Sequence, residues 1–289
     1  MGIILLTTVP SLLTETMSEQ ECAIQEIDLD KIVRQKAGKK ARYIPQFVIN
    51  WLKRIIHQEF INVYLRQGYV GVDFCKHCVK YLGVTVNVEG KENLPTDGRY
   101  YTFVSNHPLG AVDGVTLGWV IGEQYDGKIK YLVNDLLMNL KGLAPLCLPI
   151  NKLGKNGRNF PAMVESAFSG ENHVIMFPAG LCSRKNDDGQ IRDVAWSKSF
   201  ITKTVQHHRD VVPIHFEGQL TPRFYRVARF CKRFHLPNFA QVLLPDEMYK
   251  SNGKVYTVKI GKPISWQTFD KSQTPLQWAQ WVRSKVYEI

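Results

Sequence analysis

From Val84 onward the chain alternates short apolar runs with amphipathic stretches. Val84-Thr85-Val86-Asn87-Val88 switches apolar and polar at the strand period. Residues 101–104, 129–133, 146–150, 174–177 and 211–216 are apolar runs that read as buried strands. Residues 255–260 form a further strand that closes the sheet. Between them the pattern predicts a helix ending near Gly122 and a short one over 134–141. Further helices are expected over 159–168 and in the 195–207 region. Thr274-Pro275 supplies a cap and a first-turn proline for a last helix running to about Tyr287. The expectation is an α/β fold, a mostly parallel central sheet covered by helices.

The N-terminal part reads differently. Ile44, Phe47, Val48, Trp51, Leu52, Ile55, Ile56 and Phe60 recur at helical spacing, with Lys53, Arg54 and His57 between them. Residues 71–82 continue as a helix that Gly83 ends. Residues 43–83 are thus an N-terminal helical extension of two helices. They serve either as a core element or as a basic amphipathic element at a membrane interface. Residues 1–42 read as a flexible segment, with a short helix starting over 28–33 and a basic, solvated loop over 36–42. The three parts expected are 1–42, 43–83 and 84–289.

No signal peptide is expected, because residues 1–13 lack a basic n-region and a small-residue cleavage site. Met17 opens a more conventional start. No apolar run reaches the eighteen or so residues of a spanning helix, so any membrane attachment is expected to be peripheral.

Charge narrows the partners. A formal net charge of +11 favours something anionic: a membrane surface, an acidic small substrate or nucleic acid. The basic residues are scattered and no nucleic-acid motif appears, so nucleic acid is not expected. Cys75-Lys76-His77-Cys78 is a lone CxxC without the second pair of a structural zinc site, and reads as helix-borne thiols in a reducing compartment. No metal and no cofactor is expected. His207-His208 reads as surface, since consecutive residues face differently on a helix.

The chemistry concentrates in Asn106-His107-Pro108-Leu109-Gly110-Ala111-Val112-Asp113-Gly114, which follows a buried strand. Histidine is the commonest general base, and a carboxylate beside it holds the tautomer that leaves Nε2 free to take a proton. No serine or cysteine nucleophile stands nearby, so His107 and Asp113 suggest a base acting on a substrate hydroxyl or amine. The same residues also fit a plain turn into a helix. A second group follows strand 174–177: Gly180, Ser183 and Arg184 in a turn able to offer N–H groups and a cation to an anion. Lys198 stands early in the next helix.

The order of these motifs resembles the glycerolipid acyltransferase family, the lysophosphatidate-acyltransferase-like enzymes, some of which carry the label haemolysin. The resemblance covers about residues 84–265. It rests on Asn106-His107-Pro108 with Asp113, Leu148-Pro149-Ile150-Asn151-Lys152, Phe177-Pro178-Ala179-Gly180 and Val212-Pro213-Ile214, with Gly261-Lys262-Pro263-Ile264 after the terminal strand. It implies His107 and Asp113 as the catalytic pair and Asn151 and Lys152 near the acceptor headgroup. Gly180, Ser183, Arg184 and Lys198 complete the candidate substrate-binding residues. Two departures stand out. Five residues separate His107 from Asp113 where the family usually has four, and Ala179 replaces the glutamate of the usual Phe-Pro-Glu-Gly-Thr-Arg-Ser block. These forms look more like the branch that acylates lyso-aminolipids such as lyso-ornithine or lyso-glycine lipids.

The resemblance implies transfer of an acyl group from a thioester of coenzyme A or acyl carrier protein to a lyso-lipid hydroxyl. It places the enzyme at the cytoplasmic face of the inner membrane. Lysophosphatidate acylation, thioester hydrolysis and a non-enzymatic membrane-active role are the alternatives. Oxyanion donors are sought in the N–H groups near Gly180 and in Arg184. The stretch 222–239 carries Phe224, Val227, Ala228, Cys231 and Phe234 at helical spacing, among Arg223, Arg226, Arg229, Lys232 and Arg233. It reads as a basic face toward an anionic bilayer, or as a charged helix packed on the sheet.

Overall fold

The structure is a computed structural model that describes residues 25–134, 140–150 and 160–289. Its centre is a seven-stranded sheet. The strands are β1 (Thr85–Glu89), β2 (Thr102–Ser105), β3 (Ile129–Asn134), β4 (Cys147–Ile150), β5 (His173–Met176), β8 (Val211–Phe216) and β9 (Val255–Ile260). Their spatial order is β1-β9-β8-β2-β5-β3-β4. Every pairing is parallel except β8 with β9, so β9 and β1 run against the other five strands. A two-stranded hairpin, β6 (Arg184–Lys185) and β7 (Ile191–Arg192), stands apart from this sheet.

The near-continuous apolar runs have a simple cause. β2 and β5 are buried at every residue, and their side chains divide between two cores at the strand period. Phe103, Ile175, Val212 and Ile214 enter one core with Leu117 and Ile121 of α5 (Ala111–Gln124). Val104, Val174, Met176 and Val211 enter the other with Phe168, Phe200 and Val282. Those three come from α6 (Phe160–Ser169), α7 (Ser199–Gln206) and α10 (Pro275–Glu288). Burying one such phenylalanine contributes roughly 1.5–3 kcal/mol.

The N-terminal helices are α1 (Leu29–Ala37), α2 (Gln46–Ile55), α3 (Gln58–Leu65) and α4 (Gly71–Tyr81). Residues 43–83 therefore hold three helices rather than two. The apolar periodicity runs straight through the break, which His57 makes by adopting φ 51°. Its ring stacks on Tyr249 at 4.0 Å and its Nε2 lies 2.9 Å from Asp246 Oδ1. Both partners belong to α9 (Leu244–Tyr249). The stretch 36–42, expected as a loop, is helical: α1 reaches Ala37 and a 3-10 helix spans Gly38–Tyr43. Asp28 caps α1 at the Lys31 N–H, and Asp30 pairs with Lys53 and Gln46 of α2. The helix expected over 134–141 falls largely outside the described residues.

Cys75 and Cys78 are buried free thiols on α4. Burial raises the Cys78 thiol to about 12. A Cβ at Gly118 would lie 2.6 Å from Cys75 Sγ, so α4 and α5 approach closely through that glycine. His207 is less exposed than expected: it stacks near Phe168, and its Nε2 lies 3.0 Å from Glu165. His208 is exposed and lies on Trp266. Among the described residues no helix is long and apolar enough to cross a membrane.

Candidate active site

The site forms where the parallel strands end, the usual place for a ligand in such a sheet. Beyond Ser105 the side chain of Asn106 extends the β2–β8 ladder. Its Nδ2 donates to the Phe216 carbonyl (2.9 Å) and its Oδ1 accepts the Phe216 N–H (2.7 Å). His107 follows directly, and its ring stacks on Phe177 at 4.1 Å.

His107 Nδ1 lies 3.1 Å from Asp113 Oδ2, in the first turn of α5. Gly110 makes the five-residue gap workable. It lies at φ 76°, where a side chain is disfavoured, and turns the chain into the helix. A Cβ there would also come within 3.0 Å of Cys182 Sγ and of a Leu244 methyl. The Asp113 carboxylate is fully buried. Its Oδ2 accepts the N–H groups of Leu109 (2.9 Å) and Gly110 (3.2 Å), and Oδ1 accepts that of Gly114 (2.8 Å). These are donors that a helix start leaves unpaired. An anchored acceptor facing Nδ1 puts the ring proton on Nδ1 and leaves Nε2 as the acceptor. Nε2 makes no hydrogen bond among the described residues, and the His107 side chain remains 18% exposed. Burial pushes the imidazole pKa down, but Asp113 outweighs it and the net direction is up. Asp193 adds to the rise and Arg184 opposes it.

The second group meets the first through the backbone. The Ser183 N–H donates to the His107 carbonyl (2.8 Å). The His107 N–H donates to Asp193 Oδ1 (3.2 Å), which also accepts the Ser183 hydroxyl (2.6 Å). Arg184 is half-buried and lies over the Phe224 ring at 5.1 Å. It donates to the carbonyls of Cys182 (2.6 Å) and Ser183 (3.3 Å) and to Asn238 Oδ1 (3.4 Å). Burial lowers its pKa. Its hydrogen bonds thus go to neutral oxygens, which suits a guanidinium available to an anion. An open cleft of about 520 Å³ lies alongside, lined by residues 189–192 with Gly218 and Gln219.

Other expected site residues fare differently. Gly180 sits at φ 67° and closes the turn by donating its own N–H to the Phe177 carbonyl (2.9 Å), so that N–H is not aimed at His107. Lys198 is exposed at the N-cap of α7. Asn151 and Lys152 lie outside the described residues. On α8 (Pro222–Arg233), Phe224, Ala228 and Cys231 face the core, while Arg226, Arg229, Lys232 and Arg233 are exposed. Arg223 reaches Asp246 at 3.4 Å. The apolar stripe of that helix is thus core up to Cys231, and its last member, Phe234, is exposed. The apolar surface nearby comes instead from Phe230, Phe234, Leu236 and Phe239. Asn106 and Asp193 belong to the site and were not foreseen. Asp193 sits in Ile191-Arg192-Asp193-Val194, a pattern with no chemical signature, and meets His107 from 86 residues away. Among the described residues no three His, Cys, Asp or Glu side chains are placed to hold a metal ion.

Similarity to known proteins gives the family. An acyltransferase family model matches residues 31–289. A "Lyso-glycine lipid O-acyltransferase" of Phocaeicola vulgatus is 54% identical over 266 residues, covering 91% of this chain and 95% of that protein. A protein of the same name from Bacteroides thetaiotaomicron is 56% identical over 266 residues, 91% of this chain and 97% of its own. Among solved structures, the 1-acyl-sn-glycerophosphate acyltransferase of Thermotoga maritima shares the fold. Its TM-score is 0.51 at 18% identity, with 95% of this chain and 88% of that one covered. A sheet that presents a histidine–aspartate pair at its strand ends, and a family match across most of the chain, lead to one assignment: this protein belongs to the acyltransferase family and is an O-acyltransferase.

Proposed function

We propose that the enzyme moves a fatty acyl group from a thioester of coenzyme A or acyl carrier protein to the hydroxyl of a lyso-lipid. The acceptor in this reading is a lyso-aminolipid of the lyso-glycine type. The observation that carries the chemistry is the 3.1 Å contact between His107 Nδ1 and a fully buried Asp113, with Nε2 left open. Nε2 removes the acceptor hydroxyl proton as the oxygen attacks the thioester carbonyl. A C–O bond forms, and the carbonyl becomes an oxyanion, for which Arg184 is the proposed cation. Collapse breaks the C–S bond, and the imidazolium returns its proton to the leaving thiolate. Asp113 holds the ring and stabilises its charged form meanwhile.

The names of the two relatives support the acceptor class. So does Ala179, where the glycerophosphate-acylating branch carries glutamate. Peripheral attachment at the cytoplasmic face of the inner membrane completes the reading. α2 exposes Phe47 and Trp51, and the α8 region exposes four apolar side chains beside four cations. Both areas approach Asp246, which receives His57 from one side and Arg223 from the other.

The test is thiol release from acyl-CoA and from acyl-ACP, with and without lyso-glycine lipid, and with lysophosphatidate as competitor. Release that needs the acceptor and prefers lyso-glycine lipid is expected. Equal release without acceptor would make the enzyme a hydrolase, and preference for lysophosphatidate would move it to the other branch.

A further inference from the structure

His107 is held twice, and only one of the holds is the ring contact with Asp113. Its peptide N–H and C=O are both captured by the segment that follows the Phe177 turn. Asp193 takes the N–H and Ser183 the carbonyl. Asp193 is itself 3% exposed, and three donors converge on its carboxylate. Oδ1 accepts His107 N–H (3.2 Å) and Ser183 Oγ–H (2.6 Å), and Oδ2 accepts the Trp196 indole N–H (2.9 Å). Every inward neighbour is a donor, so only an acceptor-only group satisfies all three. An asparagine would turn its NH₂ toward at least one of them.

The backbone that carries this carboxylate is fixed from behind by one face of α10. Positions 280, 283 and 287 are spaced three and four apart and share that face. Asp193 N–H donates to Tyr287 Oη (2.8 Å), and Arg283 donates to the Asp193 carbonyl (2.5 Å). Gln280 pairs with both backbone groups of Trp196, at 3.2 and 2.8 Å. The C-terminal helix thus grips residues 193–196 and, through them, the base. A buried carboxylate with three donors is costly to build and to break. Its position touching the reactive histidine's own backbone gives that cost a use.

From this geometry we infer that Asp193 is a positioning residue for acyl transfer, which fixes where His107 Nε2 points and adds a second negative charge beside the ring. The inference rests on the reading of His107 as the base. The charged groups facing the ring are Asp113 from α5, Asp193 from the segment after β7, and Arg184 from β6. The Cys182 thiol nearby is pushed up to about 12, chiefly by burial.

The test compares Asp193→Asn with wild type for kcat, for KM toward thioester and acceptor, and for the pH profile, normalised to folded protein. An NMR titration of the His107 ring is run in parallel. The expected result is a fall in kcat of at least tenfold with both KM values within about twofold. The acid limb and the ring titration should both move to lower pH, because one negative charge has left. A kcat within twofold of wild type, or an unmoved ring titration, would overturn the inference; a purely structural residue lowers the melting temperature without moving either limb. Should Asp193→Asn fail to fold, Tyr287→Phe frees the Asp193 N–H and keeps the charge. A severalfold loss of kcat with KM held is then expected, and unchanged kcat overturns it. His107→Ala in the same assay separates the two levels. An active His107→Ala removes the base itself, whereas an inactive His107→Ala beside a normal Asp193→Asn removes only this inference.

Discussion

Two histidine–aspartate pairs of nearly equal length stand among the described residues, and they differ in kind. His107 Nδ1 faces Asp113 at 3.1 Å, and His57 Nε2 faces Asp246 at 2.9 Å. In the first pair the carboxylate takes three backbone N–H groups, meets no lysine or arginine among the described residues, and leaves Nε2 open. In the second, the carboxylate also receives Arg223 and Lys250, and the ring lies flat on Tyr249. His57 spends its Nε2 on the contact and sits at the break between α2 and α3 in the left-handed region. Distance alone does not distinguish a base from a clasp. What distinguishes them is which nitrogen is used, what else the carboxylate must satisfy, and whether the free nitrogen opens on a strand end.

The largest expected effect separates the two directly. His107→Ala should lower acyl transfer by roughly 10³-fold, within the usual range for losing a general base. Its melting temperature should stay close to wild type, since the ring is partly exposed and packs mainly on Phe177. His57→Ala should do the reverse: turnover within about twofold, and a loss of about 1–2 kcal/mol of stability from the hydrogen bond and the ring stack. Denaturant melts and initial rates on both variants decide it. Transfer lost in the His57 variant and kept in the His107 variant would exchange their roles.

Asp113→Asn comes next, with an expected loss in kcat of roughly 10²-fold or more. The amide offers one acceptor oxygen where four donors converge, so its NH₂ must face at least one of them. The pH profile sharpens the same point. The base must be neutral to act, and the net push on His107 is upward, so kcat/KM should rise through an acid limb above about pH 6.5. Removing Asp113 leaves burial as the main influence, and the limb should move down. An acid limb unmoved in Asp113→Asn would assign it to another group.

How far the chain could be read beforehand follows from the physics of each part. The buried strands were legible because a strand covered on both faces must be apolar at successive positions, as β2 and β5 are. The contact of His107 with Asp113 was legible because both stand within one turn-and-helix start. Asp193 was not, because its meaning lies in donors brought from residues 107, 183 and 196 by the fold. The break at His57 was hidden for a similar reason. Ile55, Ile56 and Phe60 keep helical spacing across it, and Tyr249 and Asp246, nearly two hundred residues on, secure it. On α8 the stripe was visible but its direction was not, since a helix packed on a core and one lying on a bilayer show the same periodicity.

That ambiguity leads to the smallest predicted effect, which concerns the clasp side of the molecule. In the proposed peripheral attachment α8 offers a bilayer charge from the exposed Arg226, Arg229, Lys232 and Arg233, with Phe230 and Phe234 exposed beside them. On α2 a second pair of aromatics is exposed, Phe47 at 72% and Trp51 at 57%. Each well-placed cation contributes about 1 kcal/mol at an anionic surface and loses most of it within a Debye length. Changing Arg226, Arg229 and Arg233 together to Glu should therefore weaken binding to anionic vesicles at least about tenfold at low salt, with the difference shrinking as salt rises. Changing Phe47 and Trp51 together to Ala should weaken binding by a smaller factor that salt does not change, because apolar insertion is not screened. His57→Ala, which loosens the joint between the two surfaces at Asp246, should fall between them, and His107→Ala should bind as wild type. Vesicle flotation across a salt series reads all four. A triple variant that binds anionic vesicles normally would leave the exposed aromatics of α2 and of the α8 region as the attachment and reduce Asp246 to a packing contact.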